Sequence, residues 1–350
     1  MSFFRRVIFG TSRKKAEDKV GVAGSKLSAA APYSPDEVRI WAIGGGKGGV
    51  GKSLVSSSLG ILLANRTGKR VLLVDADIGA ANLHTFLGVE NPKATLSNFL
   101  KYDSETDIRP YVSWTGLRNI DLVSGAKDSL TVVDFAPTSI PRLRDALSRT
   151  DYGYIIMDIG PGTSANNLDL FLAADEGVLV TTPEPTSIEN TYRFLKCLFL
   201  RRIRNICSSS VDSRLKDIIN MVLAGHRDGR IKTVSDIMLR LKELDAGKGR
   251  MLAELMGNAG ISLVVNQAKR ASDGDIGPSM KRACRDYFGI DVSYIGEVSH
   301  DEAVEDSIRG RKPLVISHGN SSASRSLSSC LEKLLGKEKT KAEGTFLINF

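Results

Sequence analysis

The sequence predicts an α/β fold with a doubly wound, mainly parallel sheet. Four continuous apolar runs predict buried strands: VLLV, YIIMDI, GVLVTT and SLVVNQ. Such runs are typical of parallel strands that are covered by helices on both faces. Segments of helical character separate them along the chain, as in βαβ units. A glycine-rich turn between the first predicted strand and the first predicted helix is the third indication.

The elements follow one another from about Val38. RIWAIGGG is a predicted strand that runs into the glycine turn, LVSSSLGILLANR a helix, and KRVLLVDAD a second strand. Residues 205–260 carry apolar residues at helical spacing without a strong strand pattern, which predicts a helical insertion packed on the sheet. We therefore expect one domain over residues 38–335. A basic, amphipathic tail (1–37) should precede it, and a C-terminal tail (336–350) should follow.

Composition excludes several classes of protein. The hydrophobic share of 42%, the charged share of 25% and the net charge of +8 are those of an ordinary soluble chain. The four cysteines are scattered, which argues against a disulfide framework or a zinc site and favours a reducing cytoplasm. No apolar run approaches the roughly 18 residues of a spanning helix, and no signal peptide is visible. We expect a cytoplasmic protein whose charge permits contact with nucleic acid or anionic lipid.

The clearest chemical motif is GGGKGGVGKS, residues 44–53. It satisfies the pattern G-x-x-x-x-G-K-[ST] with Gly46, Gly51, Lys52 and Ser53. Glycines let successive N–H groups point at phosphate oxygens, Lys52 should reach the β- and γ-phosphates of ATP, and the Ser53 hydroxyl should bind Mg²⁺. The predicted nucleotide contacts of this loop are Gly46, Lys47, Gly48, Gly49, Val50, Gly51, Lys52, Ser53 and Leu54.

Lys47 is a second lysine within this loop. It is either a solvated cation or a group that reaches the nucleotide of a partner subunit, as an arginine finger does. KGGVGKS resembles the deviant Walker A signature of the MinD/ParA/Mrp superfamily, which comprises P-loop NTPases of the SIMIBI type. The resemblance extends from about Ile40 to about Ser317, interrupted by the insertion. It implies that Lys47 acts catalytically across a homodimer that forms on ATP binding.

Two further segments resemble parts of the same superfamily. VLLVDADIGAANLH is similar to its switch I pattern D-x-D-x-x-x-x-N, matched by Asp75, Asp77 and Asn82. YIIMDIGPG places Asp158 at the end of another apolar strand, as in a Walker B motif. The resemblance implies that Asp77 orients or activates the attacking water. It also implies that Asp75, Asp158 and Ser53 surround Mg²⁺. Loop carboxylates that cap a helix are the alternative interpretation of the first pair.

The remaining nucleotide contacts come from three C-terminal segments. TTPEPTSIENTYRFLK resembles the P-E-P-T-S-I segment of FlhG/FleN proteins and contributes Pro183. VVNQ supplies Asn266, which by resemblance bonds the adenine edge. IGEVSHDEAVEDSIRGRKPLV is similar to the stretch around the base pocket, although Val298 and Ser299 replace the usual proline.

Three functions compete within this superfamily. P-E-P-T-S-I favours a FlhG- or MinD-like regulator of flagellar number, flagellar placement or the division site, with slow, switch-like ATP hydrolysis. A ParA-like ATPase that partitions DNA or another cargo is the alternative, and nucleic acid is the less expected partner. An Mrp-like iron–sulfur carrier would need a C-x-x-C motif, which is absent.

The expected partners are a second copy of the chain, an activating or adaptor protein, and an anionic membrane surface. In MSFFRRVIFG, the apolar Phe3, Phe4, Val7 and Ile8 would share one face of a helix. Such a segment is typical of a short interfacial helix, here at the inner face of the cell membrane. An unstructured start, or an element docked on the protein's own core, is the alternative interpretation. The segments CLEKLLGKEKTK and TFLINF are the next candidates for this contact.

Overall fold

The fold is described from a computed structural model. It describes residues 38–90, 94–102, 104–125, 138–208 and 260–346, with isolated positions at 92, at 136 and between 236 and 250. The predicted N-terminal tail lies outside these residues, as does most of the predicted insertion.

The described residues form one mainly parallel sheet of eight strands, which confirms the predicted fold class. Its order is β3-β4-β2-β5-β1-β6-β7-β8, and only β3 runs antiparallel to its neighbour β4. The strands are β1 (Arg39–Gly44), β2 (Val71–Ala76), β3 (Ser113–Trp114), β4 (Ile120–Val123), β5 (Tyr154–Ile159), β6 (Glu176–Thr181), β7 (Ile261–Ala268) and β8 (Ser293–Ser299).

Helices connect the strands and cover both faces of the sheet. They are α1 (Lys52–Thr67), α2 (Leu83–Leu87), α3 (Leu96–Lys101), α4 (Ser139–Ser148), α5 (Ala165–Leu172), α6 (Pro185–Ser208), α7 (Ile276–Phe288), α8 (Glu302–Arg309), α9 (Leu314–Ser317) and α10 (Ser322–Phe346). Two 3₁₀ turns, Arg109–Tyr111 and Ala271–Asp275, complete the described elements. No helix among the described residues has both the length and the apolarity needed to cross a bilayer.

The central strands are mainly apolar because each of their faces packs against a separate core layer. In β1, Ile40 and Ala42 belong to one buried cluster, while Trp41 and Ile43 belong to the other. Successive side chains of a strand point to opposite faces, so a strand covered on both sides has no polar alternation.

Two predicted boundaries fall inside helices. The insertion was expected from about residue 205, but α6 continues to Ser208. The C-terminal tail was expected from residue 336, yet α10 continues to Phe346. Within that stretch, Lys337 bonds to Glu176 at the amino end of β6, and Glu338 accepts a hydrogen bond from the indole of Trp41. The described part of α10 is therefore docked on the sheet beyond the predicted boundary.

Candidate nucleotide-binding site

The glycine-rich loop, residues 45–51, joins the carboxyl end of β1 to the first turn of α1. Gly49 and Gly51 have φ angles of 77° and 90°, in the left-handed region that favours glycine. Gly46 passes so close to α6 that an added Cβ would lie 2.1 Å from the carbonyl oxygen of Asn190. The loop therefore needs glycine for backbone conformation at two positions and for space at a third.

The end of β7 lies against this loop. Asn266 is buried, and its Nδ2 donates a hydrogen bond of 2.8 Å to the carbonyl oxygen of Val50. The neighbouring Gln267, which the sequence interpretation overlooked, donates from Nε2 to the carbonyl oxygen of Gly49 at 3.2 Å. One side of the Asn266 amide is thus engaged by the loop, and its hydrogen bond to the adenine edge stays a prediction.

Lys52 begins α1 and is almost fully buried. Burial lowers the pKa of its ammonium, and the nearby carboxylates of Asp158 and Asp77 oppose that shift. A buried cation between two carboxylates is held at the carboxyl edge of the sheet, where ligands of open α/β sheets bind.

Asp75 and Asp158 lie side by side on adjacent parallel strands, β2 and β5. Burial raises the pKa of Asp75 to about 8, with a further contribution from the charge of Asp158. The carboxylate of Asp75 accepts hydrogen bonds from the backbone N–H groups of Leu83 (2.9 Å) and Asp77 (3.2 Å). These bonds tie the end of β2 to the start of α2.

The Asp158 carboxylate has one satisfied oxygen and one that is open. Its Oδ1 accepts a bond of 2.9 Å from the Ser56 hydroxyl, while the buried Oδ2 has no partner among the described residues. Burial raises the pKa of Asp158 to about 6, and the nearby hydroxyl groups of Ser53 and Ser56 oppose the shift. An unpaired buried carboxylate oxygen next to a serine hydroxyl suits a hard cation such as Mg²⁺.

Asp77 faces the loop that follows β5. A Cβ at Gly160 would lie 3.0 Å from Asp77 Oδ1, so glycine permits this close approach. Burial raises the pKa of Asp77, and Lys52 lowers it. The backbone N–H of Gly162 donates to the carbonyl oxygen of Gly45 at 3.3 Å, which connects this loop to the phosphate loop.

Lys47 points away from the group formed by Lys52 and the three aspartates. Its Nζ lies 2.7 Å from Glu184 Oε2 and 3.2 Å from Thr186 Oγ1, both just beyond Pro183. The ion pair is solvent-exposed. The two lysines of one loop therefore occupy different environments, one buried at the carboxylates and one at the rim.

The other predicted contacts differ in how closely they approach the site. Val50 and Leu54 are buried in the core, whereas Gly48 is exposed with open space around its Cα. Asn82 is exposed at the start of α2, and its side chain caps no N–H group there. Asn82 is therefore connected to the aspartates only through the next residue, Leu83, whose N–H group bonds to Asp75.

Comparison with known protein families gives one match over this region. Residues 38–205 match the family model ParA, described as NUBPL iron-transfer P-loop NTPase.

The chain is also similar to curated proteins. It is 34% identical over 163 residues to the antiactivator FleN of Pseudomonas aeruginosa, which covers 46% of this chain and 56% of FleN. It is 33% identical over 208 residues to a ParA-family protein of the Chlamydia psittaci virulence plasmid, covering 56% of this chain and 74% of that protein. For FleN and a MinD of Nephroselmis olivacea, the match spans little more than half of the relative's length, 56% in each case.

Solved structures share the fold. The septum site-determining protein MinD of Pyrococcus horikoshii, solved with Mg-ADP, superposes with a TM-score of 0.57 at 22% identity, covering 85% of this chain and 96% of that one. An apo McdA structure superposes with a TM-score of 0.58 at 16% identity, covering 85% and 99%.

Proposed function

The chain belongs to the ParA/MinD family of P-loop ATPases, and from this premise we propose that it is a dimerising, Mg-ATP-dependent switch. In this proposal a monomer binds ATP in the loop of residues 45–53, pairs with a second copy, and hydrolyses ATP slowly. The cycle regulates the position or assembly of another cellular structure.

The cofactor assignment is supported by the groups that converge at the carboxyl edge of the sheet. Ser53 and the open Oδ2 of Asp158 would hold Mg²⁺, directly or through water, with Asp75 behind them. Lys52 would contact the β- and γ-phosphates. When bound, the metal neutralises charge on the phosphate oxygens.

Asp77 is proposed as the residue that orients the attacking water and accepts its proton. The Asp77 carboxylate lies close to Gly160 in the loop after β5, and the charge of Lys52, at the end of the P-loop, lowers its pKa. It is therefore near both loops. A raised pKa makes a carboxylate a stronger base. Asp77→Ala should retain ATP and lose hydrolysis.

One observation carries the dimer proposal: the divided environments of the two loop lysines. Lys52 is buried beside the carboxylates, whereas Lys47 lies at the exposed rim in an ion pair with Glu184. An exposed ion pair of this kind contributes little to stability, so exchanging it for a phosphate of a second subunit costs little. The rim lysine is then free to act in trans, as an arginine finger does.

Light scattering coupled to gel filtration tests this division of roles. Asp77→Ala with Mg-ATP should elute as a dimer. Adding Lys47→Ala should abolish the dimer while leaving ATP binding intact, whereas Lys52→Ala should abolish ATP binding itself. Lys101→Ala, which removes an exposed lysine at the end of α3 and outside the site, is the control. A monomer in the Asp77→Ala background with saturating ATP would refute the ATP-dependent dimer.

The regulated structure is proposed to be a membrane-associated assembly of the flagellar or division-site kind. The similarity to an antiactivator and to septum site-determining proteins supports this choice. The interfacial segment MSFFRRVIFG, which lies outside the described residues, is the proposed membrane contact. Two copies in an ATP dimer would bind anionic lipid far more tightly than one.

A ParA-like partitioning role is the second candidate. It is favoured by the match to the ParA-family plasmid protein, which covers 74% of that protein, against 56% for FleN and for the Nephroselmis MinD. Pelleting separates the two. The dimer should sediment with anionic liposomes only when ATP is present, and deletion of residues 2–9 should abolish this without loss of ATP binding. ATP-dependent sedimentation with DNA instead would favour the partitioning role.

A further inference from the structure

Two consecutive side chains at the end of β7 hold two consecutive carbonyl groups of the phosphate loop. Asn266 Nδ2 donates to the carbonyl oxygen of Val50 at 2.8 Å, and Gln267 Nε2 donates to that of Gly49 at 3.2 Å. The first bond is buried and the second is at the surface.

A regular strand could not make both bonds. Neighbouring side chains of a strand point to opposite faces, so if Asn266 faces the loop, Gln267 should face away. Gln267 escapes this rule because its φ is 61°, in the left-handed region, and the pairing of β7 with β8 shifts register between Val265 and Ala268. Irregularities of this kind turn a side chain toward a new target beside functional sites, and a non-glycine residue in such a conformation is held there by its contacts.

The two bonds fix the orientation of two peptide planes. All peptide bonds of the described chain are trans, so each carbonyl points opposite to the N–H of the next residue. With the carbonyls of Gly49 and Val50 turned toward β7, the N–H groups of Val50 and Gly51 are turned the other way. Within the described residues, neither of these N–H groups donates a hydrogen bond. They are two oriented donors for which the described residues supply no acceptor.

We propose that Gln267 is a positioning residue for phosphate binding, acting with Asn266 as an amide clamp on the phosphate loop. The clamp orients the N–H groups of Val50 and Gly51 toward the phosphoryl oxygens of a nucleoside di- or triphosphate. This inference rests on the proposed ATP-binding function and adds to it a residue outside the sequence motif. The two N–H groups are then already oriented in the folded chain, so they need no reorganisation when the nucleotide binds.

Two substitutions separate the amide from the backbone conformation. Gln267→Asn keeps an amide and tolerates the left-handed conformation, but its shorter side chain cannot span to Gly49. Gln267→Glu keeps the length and loses the donor, so a carboxylate faces the carbonyl. Lys269→Gln is the matched control, because it makes the same change in charge two residues away, at an exposed side chain without a bond to the loop.

The assay is the affinity for a fluorescent ADP analogue, which reports phosphate binding without dimerisation. Loss of one net hydrogen bond predicts about fivefold weaker binding for Gln267→Asn, with a larger loss for Gln267→Glu. The melting temperature without nucleotide should stay at the wild-type value for both, because the bond is at the surface. Lys269→Gln should bind like wild type.

A spectroscopic test is available because Gln267 is the only glutamine in the chain. Cell-free synthesis with ε-¹⁵N-glutamine gives one side-chain amide pair in an NMR spectrum. We expect one proton of the pair to exchange slowly with water and to shift when Mg-ADP binds. The clamp would be overturned if the Gln267 amide had random-coil chemical shifts that did not change on addition of Mg-ADP. Wild-type ADP affinity in both Gln267 variants would overturn it as well. A wild-type protein that binds no ADP would overturn the proposed function and this inference together.

Discussion

Gly46→Ala should destroy nucleotide binding, while Gly48→Ala two residues later should not. At Gly46 an added Cβ would lie 2.1 Å from the carbonyl oxygen of Asn190, a backbone atom of α6 that no rotamer change can move. Ordinary van der Waals contact begins near 3.4 Å, so the loop must shift by about 1 Å. A displacement of about 1 Å at a site of this kind costs roughly 100-fold in function. At Gly48 nothing lies within 4 Å of the added atom, and its φ is not in the left-handed region.

Fluorescent ADP titration measures both variants without the complication of dimerisation. We expect roughly 100-fold weaker binding for Gly46→Ala and a change below about threefold for Gly48→Ala. Melting curves without nucleotide should show that Gly46→Ala is folded, because the clash falls on a half-buried loop position that belongs to neither core cluster. Equal affinities in the two variants would refute the close approach between the loop and α6.

Two predictions concern stability. Without nucleotide, the contribution of Asp158 to the free energy of unfolding should fall as the pH rises from about 4 to 7, because burial raises its pKa from 3.8 to about 6 and the folded state therefore holds the proton more tightly. This contribution is fully present below the unfolded pKa and is lost as the pH passes about 6. It amounts to at most about 3 kcal/mol, and urea denaturation of Asp158→Asn should show a flatter pH slope. Separately, Arg311 follows α8 with a φ of 49°, and its N–H and that of Lys312 bond back to Ile308 and Ser307. Arg311→Gly should therefore be about 1 kcal/mol more stable than Arg311→Ala by thermal denaturation, and equal stabilities would contradict this strain.

The central part of the fold and the core of the candidate site follow from local pattern. The apolar runs predicted β2, β5, β6 and β7, because strands covered on both faces need no alternation. Asp75 and Asp158 could be placed together because each ends such a strand, and parallel strands end at the same edge. Lys52 could be placed beside them because the glycine pattern fixes a strand–loop–helix order.

Contacts between distant segments could not be predicted in the same way. Lys47 and Glu184 are 137 positions apart, and nothing in either segment indicates that their charges meet. Gln267 reads as an ordinary polar residue at a strand end, because its left-handed conformation arises from the irregular pairing of β7 with β8. Its amide reaches the phosphate loop only through that tertiary irregularity.

The C-terminal helix illustrates the same limit and yields a last prediction. Residue 336, where the sequence predicts the start of a C-terminal tail, lies within α10, and Glu338 accepts hydrogen bonds from Trp41 Nε1 at 2.9 Å and from the Tyr154 hydroxyl at 3.2 Å. Trp41 is fully buried, so Glu338→Ala would leave its N–H without an acceptor, which costs about 1–3 kcal/mol. Glu332→Ala, at an exposed ion pair with Arg66 in the same helix, should change stability by less than about 0.5 kcal/mol.

The chain has two tryptophans, so Trp114→Phe leaves Trp41 as the single fluorescent reporter of this contact. In that background, urea denaturation followed by Trp41 emission should give a lower midpoint for Glu338→Ala, and Glu338→Gln should recover part of the loss because its amide oxygen still accepts from the indole. Equal midpoints for the Glu338→Ala and Glu332→Ala variants would mean that the helix is not anchored at Glu338. The helix from residue 336 onward would then be available for the membrane contact that its sequence suggested. With the expected difference, the segment up to residue 338 is committed to the sheet, and lipid binding must be sought in residues 2–9 or beyond residue 338.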